Sequence, residues 1–211
     1  MPTLLIWGAQ SSIARATATT FTNQGWTIVG VQRPERPYIE LYQATYECDF
    51  SDWHAVNQTS LVIAQTHGCE FDAMLYATGT MYGRKLADTP PEAWHKILGD
   101  NLTAAHIITQ QSLALLAPNA SMMYLTAYSD KIKLPGIGAY AVAKAGLEAY
   151  VTVLAKEERQ KRIMNVRMGA IDTPLWEDAP FKLPRGAHNA DYVADALWNA
   201  YTQQHRGDLD L

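Results

Sequence analysis

The chain has 211 residues, nearly half of them apolar, and a formal charge of −4. That length and composition suit one α/β domain with a full core, spanning residues 1–211. The mild acidity, with no run of lysine or arginine, leaves no basic footprint for nucleic acid. Cys48 and Cys69 have no metal or redox spacing, and Met1 to Trp7 has neither the basic start nor the length of a leader or a membrane span. A reduced, cytoplasmic setting is expected.

In sequence order, Thr3 to Trp7 is a short apolar run, as a parallel strand buried on both faces requires. It breaks into Gly8-Ala9-Gln10-Ser11-Ser12, and a helix is expected from about Ile13 to Asn23. A strand, a tight small-residue turn and a helix N-terminus together can receive a dinucleotide pyrophosphate, because free N–H groups and the helix dipole both favour the anion. Gly8, Ser11, Ser12 and Ile13 are the candidate contacts. Ser12 and Ala14 stand where further glycines are usual; both are small, and an ordinary βα turn is the alternative.

Thr27 to Val31 is the second strand, followed by Gln32-Arg33-Pro34. An acid here would accept from an adenosine 2′-hydroxyl, whereas an arginine suits a 2′-phosphate. With Gln32 uncharged and Arg33 beside it, NADPH is favoured over NADH; the alternative is a solvated loop arginine. A third strand around Tyr46 to Cys48 leads to Asp49-Phe50-Ser51-Asp52. Asp49 and Phe50 could hold an adenine, or Ser51 or Asp52 could simply cap the next helix. Asp72 to Tyr76 is the fourth strand, and the small residues Ala77, Thr78 and Gly79 after it allow a dinucleotide to pass close by.

Glu92 to Leu98 reads as a short helix. Asn101 then opens a longer one, Leu102 to Leu116, as a cap or a local kink. Ser121 to Thr126 is strand five. After Pro135 and two glycines comes an Ala- and Leu-rich helix carrying Tyr140 and Lys144, four residues apart and so on one face. An ammonium beside a phenol favours the phenolate, which suits proton transfer near neutral pH. Arg162 to Met168 is strand six, Asp191 to Gln203 a helix, and Asp208 to Leu211 an edge strand. This alternation predicts a doubly wound, mostly parallel sheet with helices on both faces. Its ligand would bind beyond the carboxyl ends of the strands, where all these turns lie. Six histidines show no metal spacing, so no metal is expected. Leu175 to Pro184, within a segment of about 174–190, is a candidate substrate lid. In it Trp176 and Phe181 could cover an apolar substrate or pack on the domain.

From Thr3 to about Thr173 the pattern resembles the short-chain dehydrogenase/reductase family, which implies a Rossmann-type fold and oxidoreductase activity. Gly8 to Ala14 is similar to its glycine-rich turn, Asp49-Phe50 to its adenine-side acidic position, and Ala77-Thr78-Gly79 to its Asn-Ala-Gly turn with the Asn lost. Tyr140 with Lys144 matches its Tyr-x-x-x-Lys signature, and Asn101 its helix Asn. Met168 to Thr173 resembles its Pro-Gly-x-x-x-Thr segment, with Gly169, Ile171 and Thr173 on the nicotinamide side. The resemblance implies that Tyr140 protonates the substrate oxygen. Lys144 would bind the nicotinamide ribose and lower the Tyr140 pKa, and Asn101 would hold a relay water. It also implies a homodimer or homotetramer through the helices Leu102 to Leu116 and Tyr140 to Ala155, which are apolar over more than one face.

One departure matters. The family's serine, about thirteen residues before the tyrosine, is here Ala127, and losing one such donor typically costs about 10²–10³ in rate. Thr126 and Ser129 flank it as possible replacements. Dihydropteridine reductase resembles this protein in lacking that serine, and its quinonoid substrate is already polarised. The expected reaction is therefore NADPH-dependent reduction of a carbonyl or quinonoid small molecule; the alternative is a non-catalytic NAD(P)-binding sensor or scaffold of the same fold.

Overall fold

The computed structural model describes residues 1–34, 36, 37 and 40–211. Seven strands, β1 (Thr3–Trp7), β2 (Thr27–Gln32), β3 (Ala44–Glu47), β4 (Phe71–Tyr76), β5 (Leu116–Ala127), β6 (Arg162–Met168) and β7 (Gly207–Asp210), form one sheet in the order β3-β2-β1-β4-β5-β6-β7. All its strand pairs are parallel, including that of the edge strand β7 on β6. The order reverses between β1 and β4, where a cleft opens outside the strand ends.

Strand apolarity follows from having helices on both sides. Leu5 and Trp7 of β1, with Met74, Tyr76, Met122 and Tyr124, face α2 (Trp53–His67), α4 (Ala104–Ser112) and α5 (Gly138–Glu157). The alternate residues Leu4 and Ile6, with Leu75, Met123 and Val166, face α1 (Ser12–Asn23) and α6 (Ala190–Thr202). The period-2 geometry of a strand thus sends one continuous apolar run into two separate cores. The second core is closed by Phe21, Trp26, Trp198 and Tyr201, packed edge to face, with the two last rings stacked.

Two sequence expectations need correction. The helices expected on either side of Asn101 are one run: α3 (Pro91–Leu98) passes through a π-helical turn, Gly99–Thr103, into α4. Asn101 is not a cap; it sits in the π turn, a local irregularity of a continuing helix. It is fully buried and donates from Nδ2 to Ile97 O at 2.9 Å and Thr80 O at 2.8 Å. Nor does the helix extend to Leu116, because that residue already pairs with Phe71 in β5, and the register then shifts before Ala73 meets Ser121. The 117–120 stretch containing Pro118 falls in this irregularity, where a missing N–H costs no ladder bond.

Candidate active site

The cleft has a volume of about 590 Å³. Its floor begins at Gly8, which has φ +92°; a methyl group there would lie 2.8 Å from both the carbonyl carbon and the carbonyl oxygen of Ala77. Only glycine allows the two turns this approach. Ser11 is the N-cap of α1, its Oγ accepting from Ala14 N at 3.0 Å. The next N–H groups, of Ser12 and Ile13, have no acceptor among the described residues and stand at the helix start, with both residues on the cleft wall. Such a pair of N–H groups, backed by the helix dipole, fits a phosphate.

Gly79, Asn101 and Lys144 form the centre. A methyl group on Gly79 would lie 2.6 Å from Asn101 Oδ1 and 3.5 Å from Lys144 Nζ, so all three come together beneath the β4 turn. Among the described residues the buried Asn101 Oδ1 atom has no hydrogen-bond partner. An unpaired buried acceptor is costly and points to a group that completes it. Lys144 Nζ donates to Leu125 O at 3.0 Å and lies 5.8 Å from the centre of the Tyr140 ring. Burial pushes the Lys144 ammonium down to about 8 and raises the Tyr140 phenol above its ordinary value. In the protein alone, desolvation therefore governs the phenol, opposite in sign to the expected effect of the ammonium. Tyr140 packs with Met81 and Ile137, against Ile132, Leu175, Ala179 and Phe181.

At the other end Arg33 and Phe50 line the cleft, with Ala77, Thr78, Met168 at the end of β6 and Thr173 beyond it along its length. Four expected residues do not line it. Asn101 lies below the wall. Asp49 is exposed, and its Oδ1 accepts from Ser51 N and Oγ at 2.9 and 2.6 Å; these bonds hold its carboxyl below the usual range. Gly169 N donates to Leu211 O at 2.9 Å, and Ile171 sits in the second core with its carbonyl accepting from Trp176 Nε1 at 2.8 Å. The cap of α2 is Asp52, which accepts from His54 N at 2.8 Å.

Thr126 does not supply the donor absent at Ala127. Its Oγ1 is buried against Asn165 Oδ1 at 2.7 Å and Val166 O at 3.0 Å, both acceptors, so its one proton is already committed. Sequence reasoning misses Asp100. Its Oδ1 is 2.7 Å from Arg33 Nη2, and its Oδ2 accepts from Lys96 Nζ and Thr80 Oγ1. Lys96 and Asp100 stand four apart on a helix, but the link to Arg33 joins residues distant in sequence and leaves no local signal. Gln32 is buried, with Oε1 accepting from Gln10 Nε2 at 2.7 Å, so a neutral amide pair spans the first two strand ends.

The family model described as enoyl-(acyl carrier protein) reductase matches residues 8–196. A 3-oxoacyl-[acyl-carrier-protein] reductase of Thermotoga maritima is 25% identical over 84% of this protein and 77% of its own length. A 3beta-hydroxysteroid dehydrogenase of Mediterraneibacter gnavus is 23% identical over 82% and 67%. Among solved structures, an alcohol dehydrogenase of Thermococcus sibiricus complexed with 5-hydroxy-NADP superposes with a TM-score of 0.88 at 22% identity, covering 100% of this protein and 96% of that one. The aldohexose dehydrogenase of Thermoplasma acidophilum gives 0.86 at 17%, covering 100% and 92%. The parallel sheet and its switch-point cleft are those of a Rossmann-like oxidoreductase fold. The protein belongs to the short-chain dehydrogenase/reductase family.

Proposed function

We propose that this protein reduces a carbonyl or quinonoid small molecule with NADPH, Tyr140 giving the proton. The observation that carries the reading is the convergence of Lys144 Nζ and the unpaired Asn101 Oδ1 beneath Gly79, with the Tyr140 ring beside the ammonium. The bound dinucleotide supplies the hydride. Ser12 and Ile13 N–H groups would hold its pyrophosphate, Arg33 its 2′-phosphate, and Phe50 its adenosine side. Ala77 and Thr78 border its path, and Lys144 and Thr173 serve the nicotinamide side. Asn101 Oδ1 accepts from a water that returns the proton to Tyr140 through Lys144. The raised Tyr140 phenol stays protonated at neutral pH and so acts as an acid, not a base.

The apolar group around Tyr140 supports a substrate with a hydrophobic body. Residues 174–190 would form its lid, although Asp178 and Pro180 already lie close against Gly83 and Gly136, where added methyls would meet Asp178 O at 2.6 Å and Pro180 Cγ at 2.8 Å. The whole 1–211 stretch works as one cytoplasmic domain. Its cysteines are both free, and among the described residues no helix is long and apolar enough to cross a membrane.

Ala127, with Thr126 committed elsewhere, favours a second reading: an NAD(P)-binding sensor without turnover. A screen of NADPH oxidation against carbonyls, quinones and pterins separates the two. On the substrate it finds, Tyr140→Phe should lower kcat by orders of magnitude with NADPH affinity nearly intact, since the hydroxyl acts on the transition state. Ala127→Ser should raise kcat for an unpolarised ketone by up to about 10²–10³ and do little for a quinonoid. Wild-type activity in Tyr140→Phe defeats the catalytic assignment.

A further inference from the structure

Arg33 does not stand free at the adenosine end. Besides the 2.7 Å contact with Asp100 Oδ1, its guanidinium carbon is 5.8 Å from the centre of the Phe50 ring. Asp100 is 8% exposed and held from several directions. Its Oδ2 takes Lys96 Nζ at 3.0 Å and Thr80 Oγ1 at 2.9 Å, and its backbone carbonyl accepts from Tyr76 Oη and Thr78 Oγ1. The carboxylate is thus fixed on the π turn and the β4 turn and cannot follow Arg33 outward. A charge so far buried needs its partners. Arg33, with 29% of its side chain exposed, still reaches the cleft. A phosphate dianion arriving there meets a guanidinium already paired, with a like charge directly behind it.

We propose that Asp100 sets how strongly this protein prefers a 2′-phosphorylated dinucleotide, by holding Arg33 as an internal counter-ion that the phosphate must share. The proposal rests on the reading of Arg33 given above. Asp100 is a positioning residue here, acting only through Arg33. Lys96 moderates the hold, because it neutralises the second carboxylate oxygen. Arg33, Lys96 and Asp100 together carry one net positive charge, so the phosphate still gains by binding, but by less than a free arginine would offer.

The test is calorimetric binding of NADP⁺, NAD⁺ and adenosine 2′-monophosphate to the protein without substrate. Asp100→Asn keeps the shape and removes the charge. It should raise affinity for the two 2′-phosphate ligands about tenfold, because a guanidinium released from Asp100 can give its charge-assisted hydrogen bonds to the phosphate, and leave NAD⁺ level. On an Arg33→Ala background the gain should vanish. Lys96→Met, which tightens the grip of Asp100 on Arg33, should lower 2′-phosphate affinity about threefold, again only while Arg33 is present. This second variant decides the matter if the Asn protein does not fold. An Asp100→Asn protein with unchanged or weaker NADP⁺ binding overturns the role of Asp100. So does an equal change for NAD⁺, which marks a merely structural effect. If Arg33→Ala leaves adenosine 2′-monophosphate binding unchanged, the assignment of Arg33 itself falls and this one with it.

Discussion

Lys144 shows the tension in the site most directly. Its ammonium is buried with one hydrogen bond, to Leu125 O, and burial brings it down to about 8. An unfolded lysine titrates near about 10.4. Below about pH 8 the group is charged in both states, and the full desolvation penalty opposes folding. Between about 8 and 10.4 the folded protein has released the proton while the unfolded one keeps it, so stability rises with pH; above that range the penalty is gone. Lys144→Met has no such group. The difference in unfolding free energy should therefore move toward wild type by about 3 kcal/mol between about pH 7 and pH 10.5. Denaturant titrations of both proteins at the two pH values measure it. A difference flat with pH would mean that the ammonium keeps its water in the fold. The fold thus tolerates at neutral pH a cation that weakens it, which is expected of a group kept for chemistry.

At the scale of elements, the central strands were legible because each is an apolar run bounded by turn residues, but β5 begins at Leu116, five residues before the expected Ser121 and inside the stretch read as helix. The π turn was not legible. Gly99 to Thr103 has no breaker that separates a wide turn from a cap or kink, and what fixes it is tertiary: Asn101 reaching Ile97 O and Thr80 O, Asp100 bound to Thr80 and Arg33. Motif residues such as Tyr140 and Lys144 were visible from spacing within one helix. The Arg33–Asp100 pair, the commitment of Thr126 to Asn165 and the dominance of burial over charge at Tyr140 depend on distant segments and so leave no local pattern. Helix α5 also keeps Val142 and Val153 about half exposed, although its inner face fills the first core. A face of this kind is suited to a second copy of the protein, as proposed from the family resemblance. Sedimentation at micromolar concentration should give a dimer or tetramer mass. Val142→Glu with Val153→Glu should move it toward monomer without loss of helix content, and a wild-type monomer would remove the proposal.

For the whole molecule, the central position of β1 ties the site to the order of events in folding. β1 pairs with β2 on one side and with β4 on the other, and the cleft lies across that seam. One wall of the cleft is the turn after β1, the opposing turn is residues 77–79, and Tyr140 and Lys144 come from a helix much later in the sequence. Parallel pairings of this kind join distant segments and close slowly, whereas helices form early. During refolding, far-UV signal should return first, and capture of a fluorescent dinucleotide only with the slowest phase that completes β1 between its neighbours. Stopped-flow traces that recover both together would show the seam to be present from the start. On that order of events a newly made polypeptide has no dinucleotide site until β1 is paired on both sides, and the dinucleotide would act as a lock on the finished sheet, not as the template on which that sheet is built.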